Sequence, residues 1–127
     1  MELINMADLE NYQVTIAAGQ SLSPIVKMGF KVLVGLSFDA NWTSPTGGCT
    51  FQMSPDGVNF SEMYDGSAGT AIAVPAAVAK AGQFATMPNL AQWAGTNMIK
   101  IRSGTAAAPV NQTNATTVTI FVRTVAF

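Results

Sequence analysis

From Tyr12 onward the chain is a succession of short β-favouring runs, each closed by Gly, Pro, Asn, Asp or Ser. Punctuation at this spacing predicts a sandwich or barrel and excludes a helical domain. The expected fold is an all-β, jelly-roll-like antiparallel β-sandwich of eight or nine strands. It occupies residues 11–127 as a single domain, behind an N-terminal arm of residues 1–10 that shows no period-2 alternation and carries three of the seven acids.

The clearest hairpin is TFQMSPDGVNFSEMY, Thr50 to Tyr64. Pro55 presets φ at the corner, Asp56 suits the next position, and Gly57 can take the positive φ that closes a tight turn with a bulge. Cys49, Phe51 and Met53 share one face of the first arm. In YQVTIAA, Tyr12, Val14 and Ile16 point inward against Gln13 and Thr15. SLSPIVKM reads as an edge or bulged strand, because Pro24 cannot donate to a ladder. KVLVGLSF, Lys31 to Phe38, is nearly all apolar and reads as the central strand, buried on both faces.

Asp39 to Gly48 is a loop carrying Trp42, an indole that either caps one end of the sandwich or enters an interface. PAAVAKA is a linker with room for one helical turn. Leu90 and Trp93 fall on one face of a short helical turn that plugs an end of the sandwich. In NMIKIRS, Ile99 and Ile101 face the core while Lys100 and Arg102 face outward. The final strand, Thr117 to Phe127, carries apolar residues on both faces, which calls for a covering subunit on one side.

Charge is scarce. Charged residues make up 10% of the chain and apolar ones 49%, with a net charge of −1, against about 25% charged in an average soluble domain. Such a chain presents Ser, Thr, Asn, Gln and Ala to water, or hides surface in an assembly. Its six basic residues are scattered singly, so the electrostatic footprint of a nucleic-acid binder is missing. No apolar run has the length of a membrane span, and MELINMADLENYQ lacks a secretory signal pattern.

Several kinds of chemistry lack their residues. There is no histidine, which removes the commonest general base and metal ligand. Cys49 stands alone and reads as a small core residue. Beyond the arm the acids are Asp39, Asp56, Glu62 and Asp65. Glu62 and Asp65 sit beside turn signals rather than in the paired, desolvated arrangement a glycosidase needs, and the spacing of Asp56, Glu62 and Asp65 is not that of a calcium loop. GTAAAPVNQTN lacks the lysine and the following helix of a phosphate loop. The expectation is a protein that is not an enzyme and uses no cofactor or metal.

Read in order, TIAAGQSLSPIV, LVGLSFDANWTSPTGGCTFQMSPDGVNFSEMYD, LAQWAGTNMIKIRSGT, APVNQ and TVTIFVR resemble the small β-sandwich virion proteins of tailed bacteriophages, of the capsid decoration (cement) or head-fibre type. The likeness runs from about Thr15 to Arg123. It implies a virion structural protein on the capsid surface, made in the host cytoplasm, with the major capsid protein as partner and a homo-oligomer, a trimer, as its form. No catalytic residue comes with such a family. The candidate interface residues are Leu3, Ile4, Met6 and Leu9 of the arm, with Trp42, Phe121, Val125 and Phe127. The alternative is a carbohydrate-binding or host-recognition module of a fibre or tail, with Trp42, Tyr64 and Trp93 as stacking platforms. Both are binding roles without nucleic acid or membrane.

Overall fold

In the computed structural model, which describes residues 9–93 and 97–124, two antiparallel sheets face each other. The strands are β1 (Leu9–Ile16), β2 (Val26–Lys27), β3 (Val32–Phe38), β4 (Cys49–Ser54), β5 (Ser61–Glu62), β6 (Ala73–Val74), β7 (Phe84–Thr86), β8 (Met98–Ser103) and β9 (Thr116–Arg123). The first sheet has the order β1-β9-β3-β7; the second has β2-β8-β4-β5, with β6 also paired to β4. The all-β sandwich is therefore observed.

Alternation decides which side of each strand is buried. Along β1, Val14 and Ile16 are buried while Asn11, Gln13 and Thr15 are exposed. Val118, Ile120 and Val122 of β9 face the same interior. The second sheet answers with Cys49, Phe51, Ile99 and Ile101, all fully or almost fully buried. Each such aliphatic or aromatic side chain contributes about 1.5–3 kcal/mol of burial, which offsets the entropy of ordering the chain.

β1 begins at Leu9, two residues inside the expected arm, because Leu9 and Glu10 pair with Arg123 and Val122. β3 is one of two interior strands of the first sheet. SLSPIVKM shortens to β2 at the edge of the second sheet, plus a bridge from Leu22 to Arg102. Pro24 precedes that strand rather than interrupting it.

The corner after β4 is wider than a tight hairpin turn. The Ser54 hydroxyl accepts from the backbone N–H groups of Asp56 and Gly57, and the Asp56 carboxylate from those of Val58 and Asn59. These acceptors satisfy four of the loop's N–H groups, and six residues separate the end of β4 from the start of β5. Gly57 does take a positive φ of 80°. Beyond β5 the chain leaves β4, bridges Tyr64 to Ala71, and returns to β4 as β6.

Trp42, expected in a cap or an interface, is core. It is 4% exposed, its ring lies 4.6 Å from that of Phe38, and its indole N–H donates to the Ala79 carbonyl at 2.9 Å. The 3-10 turn Leu90–Trp93 buries Trp93 completely, edge-on to Phe51 at 4.9 Å. Arg102 is a correction of another kind. It shares the outer side of β8 with Lys100 but is only 7% exposed, because it is held against Glu62.

At one end the loops are tied by Gln112, which is fully buried. Its amide donates to the Thr43 carbonyl and the Ser103 hydroxyl and accepts from the Thr43 N–H and the Thr116 hydroxyl. Gly48 allows a close crossing nearby: at φ 77°, a Cβ there would stand 2.1 Å from the Val74 carbonyl oxygen.

Candidate functional site

The outward positions of the first sheet form a surface across four strands. Leu9, Asn11, Gln13 and Thr15 of β1 lie opposite Arg123, Phe121, Thr119 and Thr117 of β9. Phe121 in turn lies opposite Gly35, and Gly35 opposite Thr86. Arg123 is the one charged side chain among these outward positions. Hydroxyls, amides and apolar groups make up the rest, including Thr15 and Thr117, whose hydroxyls are 3.4 Å apart.

Two phenylalanines hold the middle of this face. Phe84, 51% exposed, lies over Gly35 and meets Phe121 with ring centroids 5.2 Å apart and planes at 61°. A Cβ on Gly35 would come within 2.4 Å of the Phe84 ring. The missing side chain is what lets the ring lie down. The bulge at β3 between Leu33 and Gly35 sits at the same place.

Beside β7 an open apolar groove of about 440 Å³ separates the sheet edges. Val74, Pro75 and Val78 form one wall, Phe84, Ala85 and Met87 the other. Thr86 supplies the one polar side chain in its lining.

The carboxylates are committed to structure. Hydrogen bonds from the Asn59 and Val58 N–H groups hold Asp56 far below the usual carboxylate range. The N–H groups of Ala68 and Ser67 lower Asp65, and the Arg102 guanidinium lowers Glu62. None of these three is a protonated acid near neutral pH. Burial pushes the Cys49 thiol up, which makes it a poor nucleophile. Among the described residues, no group of three His, Cys, Asp or Glu side chains could hold a metal.

Of the expected interface residues, the structure brings Leu9 and Phe121 onto one face and withdraws Trp42 to the core. Leu3, Ile4, Met6, Val125 and Phe127 lie outside the described residues. Of the three expected stacking platforms, Trp42 and Trp93 are buried and Tyr64 is 58% exposed. Phe84 was not singled out from the sequence. Its signal is Gly35, a glycine inside an otherwise apolar strand, which marks close approach by another group. No match to this chain was found among protein-family models, curated proteins or solved structures.

Proposed function

We propose that the chain is a virion structural protein, a capsid decoration protein that binds the major capsid protein from outside and stabilises the shell as an oligomer. The observation that carries this reading is the outer face of the first sheet, spread over four strands around Phe84 and Phe121 with Arg123 as the only charge among its described outward positions. A face of this kind binds by shape, apolar contact and hydroxyl or amide hydrogen bonds rather than by charge. That suits permanent attachment to a large regular lattice.

Strand order supports the jelly-roll part of the reading. With β5 and β6 counted as one interrupted strand, because both pair with β4, the sheets run 1-8-3-6 and 2-7-4-5. This interleaving agrees with the strand order of a jelly roll's double Greek key, an architecture common in viral capsid proteins. The scarcity of charge supports assembly in the same direction.

Co-sedimentation with capsid shells, assembled from the major capsid protein of the same genome, tests the proposal. The chain should pellet with the shells to a fixed stoichiometry, and Phe121→Asp should abolish pelleting while leaving the melting curve cooperative. Shells that pellet without the chain would refute it.

A further inference from the structure

The groove beside β7 has an open backbone edge as well as an apolar floor. Met87 N–H donates to the Val34 carbonyl and Phe38 N–H to the Gln83 carbonyl, so positions 83, 85 and 87 turn their backbone groups toward β3. In an antiparallel ladder the intervening residues point theirs the other way. Phe84 and Thr86 thus present N–H and C=O groups at the rim of the groove. An edge of this kind is a template for one more strand.

The described structure starts at Leu9, and the sequence before it is MELINMAD. Ile4 and Met6 are two apart, so an extended strand puts both side chains on one face. Glu2 and Asp8 give the segment negative charge, whereas the groove lining is uncharged and the exposed Lys80 stands two residues beyond Val78. Leu9 pairs with Arg123, which pairs with Val32. Leu9 and Met87 are therefore at the same end of the first sheet.

The length of the segment selects its source. From β1 to β7 of one molecule is three strand spacings, about 14 Å, which uses roughly four extended residues at about 3.3–3.6 Å each. Residues 5–8 would be spent on the crossing, and Met6 would never reach the groove. A segment from a neighbouring molecule makes no such crossing.

We propose that the groove receives residues 3–6 of a second copy of this chain, added as a strand to the edge of β7 with Ile4 and Met6 seated between Val78 and the inward-facing Ala85 and Met87. The contact is head-to-tail, so each copy gives one segment and receives one, and a closed ring of copies fills every groove. It goes beyond the capsid reading and does not depend on it.

Native mass by light scattering decides the matter. The full chain should be an oligomer. The full-length variant carrying Ile4→Asp and Met6→Asp should be a monomer, and so should Val78→Asp. An equimolar mixture of the two variants should form dimers, because one retains an intact groove and the other an intact segment. Dimer formation also reports that both are folded; if Val78→Asp fails to melt cooperatively, Pro88→Asp, at an exposed lining position, replaces it. A monomeric wild type, a variant of wild-type mass, or a mixture of folded variants that stays monomeric overturns the proposal. Unchanged oligomers that fail to bind shells would instead count against the capsid reading alone.

Discussion

Arg102 on β8 and Glu62 on β5 hold each other across the intervening strand β4. Arg102 Nη2 donates to Glu62 Oε2 at 2.7 Å and Nη1 donates to Oε1, while Gln52 Nε2 of β4 donates to the same Oε2 at 2.8 Å. The bidentate fork adds a side-chain tie to a two-residue edge strand that is also held by the Met63 N–H bond to the Phe51 carbonyl and by the buried Met63 side chain.

Removing one partner should therefore cost more than removing both. Glu62→Ala leaves a guanidinium that is nearly buried and unpaired. We expect a loss of about 2 kcal/mol, below the roughly 3–5 kcal/mol of a fully buried pair because the Glu62 carboxylate is partly hydrated. The double variant Glu62→Ala, Arg102→Met, compared with each of its single variants, should recover part of that loss. Urea denaturation of the single and double variants measures the coupling.

Acid should destabilise the fold. Glu62 is lowered by the Arg102 guanidinium, Asp56 by the Asn59 N–H, Asp65 by the Ala68 N–H, and Glu10 by the Tyr12 hydroxyl and then Lys31. Unfolded, these groups take up protons near 4.5 for Glu and 3.8 for Asp. The unfolded chain binds more protons across this range, so their contribution is complete above about pH 5 and is lost as the pH falls through the lower folded values. Urea midpoints measured from about pH 7 to about pH 3 should fall, and Glu62→Gln should make the fall shallower.

Gly35→Ala should displace Phe84. The added Cβ would stand 2.4 Å from the ring, and forcing a group into a filled site costs about 1–3 kcal/mol. In a Phe84→Ala background the same change should cost much less. The two melting temperatures and their non-additivity test whether the ring is what Gly35 accommodates.

Gln112→Ala should loosen the loop end of the sandwich. It strips a partner from the Thr43 N–H and the Ser103 hydroxyl, and unsatisfied buried groups cost about 1–3 kcal/mol. Amide hydrogen exchange at Thr43 and Thr113 should accelerate in the variant while exchange at Ile120 stays slow.

The strands were legible because period-2 burial is a local property of the sequence. β1, β3, β4, β8 and β9 lie where alternation or continuous apolar character puts them. Partnerships between distant residues were not legible. Arg102 reads as a solvated cation in NMIKIRS, and nothing nearby in sequence announces that Glu62, forty residues earlier, will cover it. Gln112 reads as loop composition, yet it is the clasp. Trp42 sits among Asn, Thr, Ser and Pro, and its burial comes from Phe38 on the preceding strand and the Ala79 carbonyl on a remote linker. The candidate face was half legible: Leu9 and Phe121 were singled out as interface residues, but pairing put them on one face, Leu9 opposite Arg123 and Phe121 opposite Asn11, and brought Phe84 against Phe121.

The central claim is that a chain with 10% charged residues is a subunit of an assembly. Light scattering on the purified protein at two concentrations a hundredfold apart tests it most directly. A single oligomeric mass at both, that of a trimer, is the result predicted here. A monomer at both concentrations would contradict it.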